Sequence, residues 1–426
     1  QLGSGTATVL GAPVAVYYGP PENERLYSAT GCVVTIAHEK IVCKSAQGRG
    51  SGLVFHVLLF GQESNRLNES DTSAVLKYAP PSIQDVRLVT ETASMSTAGG
   101  DIVVVTGENF GLGQLAMYSS PKVGDLLLQS VGNLQSYLNP WQSLSRTDVA
   151  LFYGNDANHD TQFRAISCAV TQDHIQLTCQ ISPGVGTDFK FVVVVGGQRS
   201  DRSTQVLSYA QPSLTKCFGR GSFNADTSGG EQVFFRGLQL GPKMMGRNPR
   251  VPVQIDLTYG PIVDKYRDIN DARKYAAQGC YMAEEFSLVK CLTVSGVGKN
   301  HHIRVTVGGQ TSELFDGKLS YSPPSISAYS DVGSRNALTV GNQNIDISGR
   351  NFGSTEENAI DQIIYSNGLE FHEIFTAENC VVTVDHILIS CNTGSGAGQD
   401  LTWSITIGGQ VSKDASTSYK NPTISM

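Results

Sequence analysis

Cys380-Val-Val-Thr-Val-Asp-His-Ile-Leu-Ile-Ser-Cys391 sets two short apolar strands around a polar Asp385-His386 turn, with a cysteine at the far end of each strand. The chain then runs into Gly396 and Gly398. This reads as a β-hairpin stapled across its strands. The pattern occurs four times: Cys32 and Cys43, Cys168 and Cys179, Cys280 and Cys291, and Cys380 and Cys391 are each eleven positions apart. In every copy a glycine stands five and seven positions past the second cysteine (Gly48 and Gly50, Gly184 and Gly186, Gly296 and Gly298, Gly396 and Gly398). Another stands eighteen past it, at Gly61, Gly197, Gly309 and Gly409. Spacings held together through four copies define a tandem array of one domain type.

The repeat register overrides the length prior, which for 426 residues gives about three domains. It divides the chain into a partial unit lacking its first strands (residues 1–79), complete units at 80–210, 211–322 and 323–420, and an overhang at 421–426. The 45 glycines, the low charged fraction (16%) and many short Val/Ile/Thr runs describe an all-β protein rich in turns. The net charge of −7, with Lys and Arg scattered, removes the basis for binding phosphate backbones, so nucleic acid is not an expected partner. Apolar runs such as Leu53–Phe60 and Phe191–Val195 have strand length and are far too short to span a membrane. No membrane insertion is therefore expected in this segment.

Eight of the nine cysteines fall in the repeating pairs, and their spacing is unlike the two- to four-residue spacing of zinc knuckles, so disulfides are expected. Persistent bridges imply an oxidising compartment, outside the cell or on its surface. Asn68-Glu69-Ser70 is a glycosylation sequon compatible with secretion. Cys217 stands outside the pairs, in an opening strand. It is either a buried free thiol or the partner of a second chain.

Each unit closes on a tyrosine and proline signature: Lys77-Tyr-Ala-Pro-Pro-Ser-Ile83, Ser208-Tyr-Ala-Gln-Pro-Ser-Leu214, Ser320-Tyr-Ser-Pro-Pro-Ser-Ile326 and Ser418-Tyr-Lys-Asn-Pro-Thr-Ile424. Proline holds its neighbour extended, which suits a last strand passing directly into the next unit's first, and connections this short imply a stiff rod. Within a unit follow a Gly-Gly turn, a strand and a glycine-rich end, as in Gly99-Gly100 to Thr106-Gly-Glu-Asn-Phe-Gly111, or Ser348-Gly-Arg-Asn-Phe-Gly353. Next come a strand ending near Tyr153, Tyr259 or Tyr365, the stapled hairpin, and an alternating strand that turns at Gly-Gly-Gln. In that strand Phe189, Phe191, Val193 and Val195 match Leu401, Trp403, Ile405 and Ile407, and their period of two puts them on one buried face.

This order of landmarks resembles the IPT/TIG family of immunoglobulin-like domains. The carrying residues are the Pro-Pro-Ser-Ile starts, the Gly-Gly turns leading to Thr106–Gly111 and Ser348–Gly353, the paired cysteines and the Gly-Gly-Gln turns. The resemblance implies tandem immunoglobulin-like β-sandwiches over essentially the whole chain. It does not imply one function, since the family spans plexin-type receptor ectodomains, microbial surface proteins, carbohydrate-active enzymes and Rel-type transcription factors. The first unit begins at Gln1-Leu-Gly3, in register with Gln239-Leu-Gly241, and Asn421–Met426 reads as the opening strand of a further domain. Either the chain is a window on a longer array, or the free strand completes a neighbouring copy.

Two units carry insertions, at 112–148 and 242–278, in which short helices are expected. Leu127, Leu128, Val131, Leu134 and Leu138 have helical spacing, and Tyr266, Ile269 and Tyr275 form a weaker stripe. Such helices pack on their own sandwiches or make contacts between subunits, in which case Tyr137, Trp141, Tyr266 and Tyr275 are the interface candidates.

Catalytic chemistry is not expected. His38, His174 and His386 recur in the hairpin turn, where the third unit has Phe286, and a residue replaceable by phenylalanine reads as a turn residue. His301-His302 on a strand point to opposite faces and cannot chelate one ion. Asp156, Asn158 and Asp160 have calcium-loop spacing without the glycine or closing glutamate, and Glu284-Glu285 falls in a solvated hairpin turn. No metal or cofactor is expected. The sequence-level reading is a non-enzymatic extracellular structural protein that self-associates into a filament or surface fibre. The alternatives are a receptor or adhesin ectodomain with a protein or glycan partner, and an accessory carbohydrate-binding module of a larger enzyme.

Overall fold

The computed structural model describes residues 14–59, 61–64, 76–90, 93–113, 149–155, 161–247, 250–261, 274–367 and 374–424. They form antiparallel sheets and separate into two compact units. One comprises Gln1–Pro183, Thr187–Tyr209 and Gly246–Arg250, the other Gly184–Gly186, Ala210–Met245 and Val251–Met426.

The fourth repeat shows the architecture in full. One sheet orders Ser325–Ser330, Asn344–Arg350, Leu388–Asn392 and Glu378–Val384; the facing sheet orders Phe375–Thr376, Ile360–Ser366, Leu401–Ile407 and Gln410–Thr417. Alternation places Ile345, Ile347, Ile389 and Cys391 against Ile363, Tyr365, Trp403 and Ile405, all in one core. Each large side chain removed from water here contributes about 2 kcal/mol, and together they hold the two sheets face to face. The second repeat has the same strand order, with Val103, Val105, Leu177, Phe191 and Val193 fully buried. The third adds Phe315–Leu319, paired to His301–Val307. In the first, Ala15–Gly19 and Val54–Leu59 anchor one sheet, and the described part of the other is the hairpin Thr30–Ile36 with Lys40–Lys44.

All four hairpins are stapled: Cys32–Cys43, Cys168–Cys179, Cys280–Cys291 and Cys380–Cys391 are disulfides with Cα separations of 4.1 to 4.2 Å. The residue before each first cysteine (Gly31, Ser167, Gly279 or Asn379) has φ between 52° and 58°, and the strand register shifts there. This bulge brings the two cysteines together on neighbouring strands.

The helical reading of the third insertion is corrected at its described end. Tyr275–Ala276 is a strand paired to Ile255–Gly260, and Gln278 opens the first strand of the hairpin. Tyr275 is buried (6% exposed), so it is a core residue and not an external interface residue. The spacing of Tyr266, Ile269 and Tyr275 suggested a stripe, but burial of the Tyr275 ring between the sheets prevails. Ile255–Gly260, inside the span 242–278, is likewise the repeat's own sheet strand, with Ile255, Leu257 and Tyr259 alternating into the core. Met244–Met245 and Val251–Pro252 form a small separate ribbon. Tyr266, the second insertion with Tyr137 and Trp141, Asn68, and Asp156–Asp160 lie outside the described residues.

Candidate functional site at the repeat joints

The landmark motifs converge on three devices that recur from repeat to repeat. The first is a tyrosine pair. Tyr18 and Tyr78, Tyr153 and Tyr209, Tyr259 and Tyr321, and Tyr365 and Tyr419 share hydroxyl hydrogen bonds of 2.8, 2.9, 2.7 and 2.7 Å. In each pair the first hydroxyl accepts from the backbone N–H three residues past the second cysteine (Ala46, Ser182, Val294 or Gly394). The second donates to the carbonyl of that same residue, at 2.6 to 2.9 Å. The terminal tyrosine of each repeat is thereby tied to the loop beyond the stapled hairpin. Burial pushes Tyr153 up to about 12 and Tyr209 well above its ordinary value, so the phenols stay neutral and keep donating.

The second device explains Thr-Gly-Glu-Asn-Phe-Gly. Asn109 Nδ2 donates to the Pro80 carbonyl at 3.0 Å, as Asn351 does to Pro323 at 2.9 Å, joining this motif to the Pro-Pro-Ser-Ile start. A Cβ on Gly107 would overlap the Ser82 carbonyl oxygen, and one on Gly349 that of Ser325, so only glycine lets the two strands approach. Phe110 and Phe352 are fully buried. The last glycine accepts from the hairpin-turn residue: His174 N to Gly111 O, Phe286 N to Gly241 O and His386 N to Gly353 O, each 2.7 Å. His38, His174, Phe286 and His386 have φ of 66° to 67° and fill the left-handed position of the turn, where the sequence places them. Their repetition reflects this backbone role.

The third device is the joint between consecutive repeats of one unit. In the first unit Gln198 Nε2, from Gly196-Gly197-Gln198, donates to the Tyr78 carbonyl at 2.8 Å. In the other unit Gln410 Nε2, from Gly408-Gly409-Gln410, donates to the Tyr321 carbonyl at 2.9 Å. The turns sit on the glycine seven positions past the second cysteine of the preceding repeat. A Cβ on Gly196 would lie 2.7 Å from Gly50 Cα, and one on Gly408 2.9 Å from Gly298 Cα. Tyr78 N and Tyr321 N donate to the carbonyls of these same glycines, Gly50 and Gly298, at 2.9 and 2.8 Å. Around the second of these joints Val297 enters the core of the fourth repeat, and His386 Nδ1 shares a 3.0 Å hydrogen bond with Thr227 Oγ1. Tyr275 Oη donates to Glu357 at 2.7 Å, and Lys274 Nζ pairs with the same carboxylate at 2.5 Å. Tyr275 thus faces the next repeat of its own chain.

The remaining candidates separate cleanly. Cys217 lies in Ser213–Phe218 as a free thiol packed against the third core, and burial pushes it up to about 12. A thiol so protonated is a poor nucleophile for exchange. His301 is buried among Tyr259, Tyr275 and Tyr321, while His302 on the opposite face lies 3.5 Å from Asp316. Among the described residues no cluster of three or more His, Cys, Asp or Glu could hold a metal ion. Glu285 sits in the hairpin turn and accepts from Lys243 N at 3.3 Å, whereas Glu284 ends the strand before it, paired with Leu288 and 3.6 Å from Arg236. Sequence reasoning found the Gly-Gly-Gln turns, the post-cysteine glycines and the terminal tyrosines, but placed the Gly-Gly-Gln turn within its own repeat and gave it no part in the joint. The coincidence that Gly-Gly-Gln and the post-cysteine glycines recur together was the available signal for a shared contact.

No family model and no curated protein matches the chain. Among solved structures, a protein crystallised with a xylogluco-oligosaccharide is 13% identical over 80% of this chain and 60% of its own, with a TM-score of 0.29. The Escherichia coli adhesin FdeC is 13% identical over 81% of this chain and 100% of its own, with a TM-score of 0.22. The extracellular region of plexin A4 is 10% identical over 96% of this chain, which spans 45% of that region, with a TM-score of 0.19. None of these likenesses bears on what this chain binds.

Proposed function

We propose that the chain is part of an extracellular surface protein of adhesin or receptor type, which binds a protein or glycan partner and catalyses no reaction. The observation that carries this reading is the use of the shared motifs. In four disulfide-stapled sandwiches the recurring tyrosines, glycines, asparagines and glutamines are engaged in cores, hairpin turns and joints. They build a scaffold. What differs between repeats is then the partner-specific part: the insertions at 112–148 and 262–273, and the Met244–Pro252 ribbon, whose Met244 and Val251 are exposed. Binding of the purified chain to glycan arrays and to intact cells tests this, compared with variants in which each insertion is replaced by a short Gly-Ser turn. Binding lost with one insertion and kept without the other supports the reading. Binding indifferent to both, or none to any cell or glycan, counts against it.

Electron microscopy of protein from its native source separates this reading from that of a filament building block, since unbranched fibres formed without ligand belong to the latter alone.

A further inference from the structure

The fourth repeat carries the same surface that the third repeat uses to hold the fourth. A cavity of about 470 Å³ is lined by Leu338, Thr339, Ala397, Gly398, Tyr419 and Pro422, among others. By position relative to the cysteines and turns, Thr339 stands where Thr227 does, Ala397 where Val297 does, Gly398 where Gly298 does, and Tyr419 where Tyr321 does. Each third-repeat counterpart touches the fourth repeat. Thr227 bonds to His386, Val297 enters its core, Gly298 lies under Gly408, and the Tyr321 carbonyl accepts from Gln410. The seat is also set in the same way internally. Tyr419 N donates to Gly398 O at 2.8 Å, as Tyr321 N does to Gly298 O, and Gly398 has φ of 133° where Gly298 has 99°. The Tyr419 carbonyl receives no hydrogen bond among the described residues.

We infer that this face is a docking seat for the Gly-Gly-Gln turn of another immunoglobulin-like repeat, joined in series through the extended Asn421–Ile424 segment. The glutamine side chain of that turn donates to the Tyr419 carbonyl, and its first glycine lies on Gly398. A hydrogen-bonding residue at the left-handed position of its hairpin turn meets Thr339. A second copy of this chain entering by its first repeat does not fit. Where the turn needs its first glycine that repeat has Phe60, and a Cβ at the equivalent Gly408 would already crowd the glycine beneath it. The inference rests on joint geometry alone and stands whatever the chain binds.

The test appends one repeat in register, residues 325–426 following Pro422 of the full chain, and follows amide hydrogen exchange at Gly398–Gln399 and Tyr419–Asn421. The expected result is slowing by about tenfold or more at these amides, reversed by Gln410→Ala in the appended copy while its own core stays protected. The inference is overturned if the appended repeat folds, by its own core protection, and the seat amides exchange at the rate of the unextended chain. It is also overturned if the unextended chain dimerises through this face in sedimentation and Gly398→Val abolishes the dimer, because the occupant is then a second copy.

Discussion

Tyr259 is a residue whose value lies in one oxygen. Its hydroxyl accepts from Val294 N at 3.1 Å and is shared with Tyr321 at 2.7 Å, in a site closed to water. Tyr259→Phe keeps the ring and leaves the Val294 N–H without a partner, so a loss of about 1–3 kcal/mol is expected in denaturant unfolding. Tyr281→Phe, on the exposed surface, should cost nothing measurable. His301 makes the pH argument. Burial pushes it down to about 4, aided by Lys274 and opposed by its hydrogen bond to Val297 O. The unfolded chain takes up this proton near the ordinary histidine value of about 6.5, the folded chain only near 4. Folding is therefore unaffected by this group above about 6.5 and loses stability as pH falls toward 4, by roughly 3 kcal/mol in all. His301→Phe, the residue the second repeat has at Phe189, should flatten the stability profile of the third repeat over that interval. An unchanged slope would show that other groups govern the acid limb.

The stapled hairpin is the element that sequence alone resolved best. Apolar residues alternate around a polar turn and the cysteines sit in register, so local chemistry decides the fold there. Replacing Cys380 and Cys391 together by serine should lower the stability of the fourth repeat by about 3 kcal/mol, since the bridge closes a short loop in the unfolded chain. Calorimetry of the oxidised and the double-variant protein reads this directly; equal unfolding temperatures would mean that the pairing of Leu388–Asn392 with Asn344–Arg350 on one side and Glu378–Val384 on the other suffices. The same local logic failed at Tyr275. A helical spacing of three aromatic or aliphatic residues was visible, but the pairing of Tyr275–Ala276 with Ile255–Gly260 is set by strands distant in sequence. The tyrosine pairs were half legible. Each terminal tyrosine stood out in its proline signature, whereas its partner lies 54 to 62 residues away and becomes evident only when the two sheets face each other. The joints were hidden for a similar reason. Gly-Gly-Gln is a sound hairpin turn within its own repeat, and nothing local tells that its glutamine reaches a carbonyl 89 or 120 positions back.

For the whole molecule, covalent association and repeat coupling are separate questions. The half-buried Cys217 thiol, packed against the third core, should leave the protein monomeric on a non-reducing gel, identical to Cys217→Ser; a reducible ladder lost in the variant would reverse that reading. Coupling within a unit is the central claim, because it turns the family-like motifs from ornaments of single domains into the parts of an array. Thermodynamically, a side chain on Gly408 must displace the backbone at Gly298 and so break the Gln410 to Tyr321 hydrogen bond. The most direct measurement is amide hydrogen exchange of the full chain compared with Gly408→Val. Faster exchange is expected at the Tyr321 amide and the Gly296–Gly298 loop of the third repeat, with the core strands Asn344–Arg350 and Leu388–Asn392 of the fourth unchanged. Unaltered exchange at Tyr321 and Gly298 would contradict the account, leaving neighbouring repeats as independent sandwiches joined only by the chain.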